Sequence, residues 1–202
     1  MIKVVHTTKE LKFLIFDYIE KFGPNCDLNF IDVSEIRNMD DLFSGINSTF
    51  DGDISGWEVS HVESMCGMFQ SSLFNGDISQ WNVSNVEWMQ SMFANSQFNG
   101  DISRWDVSKA CDASAMFAGS QFVGDIDAWK LPKDAHIGDM FAESVMELKG
   151  LVPAWYCKMR DDPERANYWW WTPDCEELLL LEKNRQLDCE PPTEEELENL
   201  PF

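Results

Sequence analysis

Aspartate recurs at a fixed interval in this chain, and that column of carboxylates is the first arrangement in it that could do chemistry. Asp53, Asp77, Asp101 and Asp125 each follow a glycine and lie 24 residues apart. Stacked in register they would stand about 5 Å from one another. Repeated Gly-x-Asp turns bind calcium in one kind of repeat protein, so cation binding is one reading. The other is local, because an aspartate in a turn accepts the backbone N–H groups that follow it. The second reading fits better, since Ile and Trp fill the remaining positions of a calcium loop. The other candidates for chemistry are sparse. The 6 cysteines include no C-x-x-C pair, and His6, His61 and His136 have no ligand spacing. No G-x-S-x-G, H-E-x-x-H or P-loop is present. We therefore expect no catalytic residue, no metal site, no cofactor and no enzyme, with the cysteines as reduced, partly buried thiols.

The same interval organises most of the chain. Phe50-Asp51-Gly52-Asp53-Ile54-Ser55 recurs at Phe74, Phe98 and Phe122. Trp57, Trp81, Trp105 and Trp129 share the period, as do Met68-Phe69, Met92-Phe93, Met116-Phe117 and Met140-Phe141. Leu28, Ile31, Val33, Ile36, Met39, Leu42 and Phe43 match the pattern 26 residues upstream of Ile54 to Phe69. Downstream, Trp155 arrives two residues late and the pattern is expected to dissolve. A fixed period of 20–29 residues is the mark of stacked units, and atypical end units cover the exposed faces of such a stack.

One unit reads as a strand followed by a helix. Trp57 and Val59 alternate with Gly56 and Glu58, which points both apolar groups to one side of a short strand. Val62, Met65, Met68 and Phe69 share one face of a short helix. Ser60 is its expected N-cap with Glu63 closing a capping box, and Ser84 with Glu87 repeats the pair. The glycine of each Phe-x-Gly-Asp turn is expected to supply an unusual backbone angle. The predicted class is an α/β repeat, a leucine-rich-repeat-like solenoid of strand-turn-helix units with an N-terminal capping helix and a helical C-terminal cap. The expected domains are a cap over 1–26, repeats over 27–150 and an acidic, Trp-rich cap or tail over 151–202. Within the first, Leu11, Leu14, Ile15, Tyr18, Ile19 and Phe22 share one face of a helix over Thr8–Phe22 that Gly23-Pro24 ends.

Charge bounds the partners. Across 202 residues, 36 acidic side chains face 15 basic ones, giving a net charge of -21. Residues 1–26 carry 4 basic and 3 acidic side chains, residues 27–150 carry 6 and 20, and the remainder 5 and 13. Nucleic acid and anionic membrane surfaces would repel such a chain, and no apolar run is long enough for a transmembrane helix. The N-terminal residues show no export or lipid-attachment pattern, so a cytoplasmic location is expected.

The run Asn-Gly-Asp-Ile-Ser-x-Trp-Asn/Asp-Val-Ser-x-Val followed by Met-x-x-Met-Phe closely resembles the BspA-like leucine-rich-repeat family over roughly residues 8 to 150. The resemblance implies a repeat protein that recognises other macromolecules, often as an exported adhesion or host-interaction protein, and it brings no catalytic residues. An extracellular or cell-surface location is its alternative to the cytoplasm.

Binding is the function class these residues leave. The expected partner is a basic protein, bound by an intracellular inhibitor or immunity-type module. A surface adhesion protein is the alternative, and a nucleic-acid-mimicking inhibitor a second one. Oligomeric state is not encoded in any pattern here. Candidate partner-binding residues are Glu58, Asn82, Asp106 and Lys130, which occupy one position between the inward residues of each strand. Trp88 joins them as an aromatic anchor off the apolar stripe, and Trp169 and Trp170 as cap core or interface.

Overall fold

The structure is a computed structural model that describes residues 2–163. It opens with a helix built as its sequence dictates. In α1, Thr8–Phe22, the residues Leu11, Leu14, Ile15 and Ile19 are buried along one face. The Thr7 hydroxyl accepts the Glu10 N–H at 3.1 Å and so caps the first turn. Gly23, at φ 89°, closes the last turn by donating its N–H to the Ile19 carbonyl. Ahead of α1, strand β1, Lys3–Val4, pairs in parallel with β2, Ile31–Asp32.

The expected solenoid of strand-turn-helix units is not what the chain forms. The described residues hold three α-helices, one 3-10 turn and one sheet of two-residue strands, and no α-helix lies within residues 27–144. Each repeat is a chain of turns. In the unit that begins at Phe50, the N–H groups of Trp57, Val62 and Met68 close turns on the carbonyls of Ile54, Val59 and Met65. The Met-Phe segment fails as a helix for a backbone reason. Gly67, Ser91, Ala115 and Asp139 hold left-handed φ values of 51–58°, and four residues on Ser71, Asn95, Gly119 and Glu143 do so again at 55–64°. A right-handed helix needs φ near -63° throughout, so two inversions within eight residues exclude it. The capping boxes go with it. The Ser60 N–H donates to the Glu58 side chain, and Glu63 pairs with Arg37 of the preceding repeat.

Those inversions turn the backbone groups of the segment along the stacking direction. Met65, Gly67, Phe69 and Ser71 donate to the carbonyls of Trp88, Gln90, Met92 and Ala94 at 2.8–2.9 Å. Met89, Ser91, Phe93 and Asn95 do the same to the next repeat, and Ala113, Ala115, Phe117 and Gly119 to the one after. Single parallel bridges join Asn38, Ser64, Trp88, Asp112 and His136 in sequence. Successive repeats are thus layers held in register by their own backbone polarity.

Side chains follow the register. Phe43, Phe69, Phe93, Phe117 and Phe141 form one column with ring centroids 5.3–5.6 Å apart. Phe50, Phe74, Phe98 and Phe122 form a second at 6.0–6.3 Å. All nine rings are fully buried. Burial of such rings supplies most of the driving force that the short turns cannot. The indoles of Trp57, Trp81, Trp105 and Trp129 donate to the carbonyls of Leu28, Ile54, Ile78 and Ile102 at 3.0–3.2 Å. The tryptophan pattern does not dissolve downstream. Trp155 donates in the same way to Ile126 at 3.0 Å, carried by α3, Ala154–Arg160, which follows the single turn α2, Val145–Leu148. Tyr156 beside it sets its ring edge-on to Phe141 at 4.9 Å.

Glycine in the Phe-x-Gly-Asp turn serves a different purpose from the one expected. Gly52, Gly76, Gly100 and Gly124 do not adopt left-handed φ. Each lies against the ring of the Phe two residues before it: a Cβ on Gly76 would stand 2.7 Å from the Phe74 ring. Ring packing, not backbone freedom, demands glycine there.

Candidate functional site

Turn chemistry fixes where the acidic side chains sit. Asp53, Asp77, Asp101 and Asp125 each accept, through Oδ1, the N–H of the residue two positions on, at 2.9–3.0 Å. This is the local capping role anticipated for the column, and Asp27 extends it with Asn29 at 2.8 Å. Among the described residues, no group of three His, Cys, Asp or Glu side chains is placed to hold a metal ion.

A second column does the same on the next turn. Glu58, Asn82 and Asp106 accept the N–H groups of Ser60, Ser84 and Ser108 at 2.9–3.2 Å, and Asp32 accepts that of Ser34. The structure therefore brings Glu58, Asn82 and Asp106 together as one exposed column with Lys130 at its end. Their neighbours Trp57, Val59, Trp81 and Val83 point inward and are buried. The acidic members are held ionised. Asp53 and Asp101 sit below their ordinary pKa chiefly because the N–H groups of Ser55 and Ser103 point at them. Glu58, Asp106 and Asp32 do so chiefly through the hydroxyls of Ser60, Ser108 and Ser34.

Trp88 sits off the apolar stripe on the turn-built segment. It is half-buried and belongs to the bridged column between Ser64 and Asp112, where its backbone carbonyl accepts the Met65 N–H. Trp169 and Trp170 lie outside the described residues. Sequence reasoning missed a third column. The side-chain oxygens of Asp51, Asn75 and Asn99 accept the backbone N–H of Asn75, Asn99 and Val123, one layer on, at 2.7–2.9 Å. The signal was the recurrence of Asp or Asn before Gly52, Gly76 and Gly100, which reads as ordinary turn composition until the layers are stacked.

Charge is uneven along the surface. The bases of the layered region include Arg37, which pairs with Glu63, and Lys109, which donates to Asn85 at 2.6 Å. Among the described residues, no helix is long and apolar enough to cross a membrane.

No curated protein and no solved structure matches the chain. A family model described as "Mycoplasma protein of unknown function, DUF285" matches residues 11–129 and again residues 70–155. The matched span runs from within α1 to Trp155, so it takes in every turn-built layer and the last indole of the tryptophan column. It covers more than half of the chain, which therefore belongs to the DUF285 family.

Proposed function

We propose that the chain is a non-catalytic protein-binding module that recognises a basic partner protein in the manner of an intracellular inhibitor or immunity protein. The observation that carries this reading is the Glu58–Asn82–Asp106 column. Its acceptors are exposed, fixed by backbone N–H groups and repeated at the layer spacing. Fixed side chains lose little entropy on binding, and a surface of one charge speeds encounter with the opposite charge. The net charge of -21 acts in the same direction. A cytoplasmic site of action is part of the proposal, in keeping with Cys26, Cys111 and Cys157 as free thiols. The second reading, a surface or secreted adhesion protein, rests on the resemblance of the repeats to the BspA-like family.

The test is binding at two ionic strengths. The full chain, immobilised, should retain basic proteins from a cytosolic extract at low salt and release them at high salt. Replacing Glu58 and Asp106 by Lys together should weaken retention at least tenfold. Retention that is unchanged by salt and by both substitutions would refute the reading. Location of the protein outside the cell, with no intracellular partner, would favour adhesion.

A further inference from the structure

The two ends of the layered stack are finished differently. Because the left-handed residues turn the N–H groups of each Met-Phe segment one way, the first layer presents carbonyls outward and the last layer presents donors. At the carbonyl end side chains take two of the outward carbonyls: Thr8 donates to that of Asn38 at 2.5 Å and Asn47 to that of Leu42 at 3.0 Å. At the donor end, Ile137, Asp139 and Phe141 occupy the positions of Ala113, Ala115 and Phe117, which donate to His136, Gly138 and Met140 at 2.8 Å. The N–H groups of Ile137, Asp139 and Phe141 meet no acceptor among the described residues. The fourth donor of the row, Glu143, is taken by the Glu147 carboxylate at 2.7 Å.

Helix α3 replaces the missing layer only in part. Trp155 continues the tryptophan column and Tyr156 covers Phe141, but neither brings a carbonyl to the row. Phe141 is fully buried beneath it and Ile137 nearly so. A donor row that ends without acceptors is an open edge, and a ligand that brings carbonyls to it makes the bonds that every internal layer makes. Every internal layer shows what the acceptor is: a turn-built backbone whose left-handed residues bring the carbonyls of alternate residues to one edge. The rim of the row is acidic, with Asp139, Glu143 and Glu147 all exposed. A second copy of this chain is a poor occupant, because Thr8 and Asn47 already hold two of its outward carbonyls and its charge is -21.

We propose that the edge formed by Ile137, Asp139 and Phe141 is a docking site for a lysine- or arginine-bearing segment of a partner protein, which adds as one more layer while the Tyr156 ring lifts from Phe141. This rests on the reading of the chain as a binder of basic proteins, and names where on it the partner is gripped. The carbonyls of the segment meet the three donors, and its basic side chains meet Asp139, Glu143 and Glu147.

The test uses the full chain labelled with nitrogen-15 and a synthetic peptide of alternating lysine and valine. On saturation the amide protons of Ile137, Asp139 and Phe141 should move downfield, and Asp139 exchange with solvent should slow about tenfold. A glutamate-valine peptide should leave all three unchanged. If the lysine-valine peptide leaves the three amides as they are, the assignment of the edge is overturned, whether the peptide binds elsewhere or not. A folded basic protein such as a core histone separates the two readings. Salt-sensitive binding of the histone with the three amides unmoved removes the edge and keeps the acidic binder. No binding of the histone at low salt removes both.

Discussion

Single residues in this protein are chosen by what the next layer does to them. Ala115 and Gly67 hold the same left-handed position, yet only one is glycine. An L-residue pays roughly 1–2 kcal/mol there, partly offset by the greater chain entropy glycine loses on folding. Ala115→Gly should therefore stabilise the protein by about 0.5–1 kcal/mol, seen as a higher urea midpoint at unchanged slope. Gly76 shows the reverse. Its missing Cβ is space filled by the buried Phe74 ring, so Gly76→Ala should cost about 1–3 kcal/mol in the same urea titration. The turn carboxylates make a third case. Asp106 titrates below its unfolded value because Ser108 binds its ionised form. Its contribution is thus present above the unfolded pKa, near 4, and is lost as pH falls through the lower folded value. Asn82 makes the same bond to Ser84 without a charge. Asp106→Asn should leave stability at pH 7 nearly unchanged and flatten the loss of stability as pH falls below the unfolded pKa. Urea midpoints measured across that range check it, and an unchanged acid slope would show that the Ser108 bond does not carry the effect.

At the scale of elements, columns replace helices and strands. Trp105 is nearly buried, stacks on Trp129 at 6.5 Å and donates to the Ile78 carbonyl of the layer before. Trp105→Ala removes the ring and orphans a buried carbonyl at once, at a cost of about 3–5 kcal/mol. Trp105→Phe keeps most of the packing and orphans only the carbonyl, at about 1–3 kcal/mol. Thermal melts of the pair separate the two contributions, and equal losses would mean the indole N–H matters little. These columns also explain what the sequence makes legible. The period, the inward residues and α1 follow from apolar spacing alone, since Trp, Phe and Met recur where burial requires them. The exposed Glu58, Asn82 and Asp106 column was legible for the same reason, lying between inward neighbours. The helix expected at the Met-Phe segment was not to be had from spacing. Met65, Met68 and Phe69 share a helical face as readily as a turn surface, and only the backbone inversions at Gly67 and Ser71 decide between them. Ser91, Ala115 and Asp139 at the first of these positions carry no sign of it. Nor does composition reveal that Asn75 and Asn99 reach across to the following layer.

The molecule as a whole balances attraction along its columns against repulsion between them. Layers joined by backbone bonds stand about 4.8 Å apart, so Asp53, Asp77, Asp101 and Asp125 approach their own kind within half a Debye length at 0.1 M salt, where that length is about 10 Å. With a net charge of -21, this self-repulsion opposes the folded state. The same field is what draws a basic partner. Salt must then act on the two in opposite senses. Raising sodium chloride from low to moderate concentration should raise the melting temperature, by roughly 2–4 °C for each kcal/mol of repulsion removed. Over the same range it should weaken the grip on a basic protein about tenfold or more. Thermal melts followed by tryptophan fluorescence and binding isotherms on the same samples measure both. A falling melting temperature would mean that attractive ion pairs outweigh the repulsion. That outcome conflicts with a described surface on which the bases are few and the carboxylates are held by backbone N–H groups rather than by cations. If instead stability rises while binding stays constant, the charge is a burden on the fold with no bearing on the partner, and the acidic surface loses its claim to be the site of recognition.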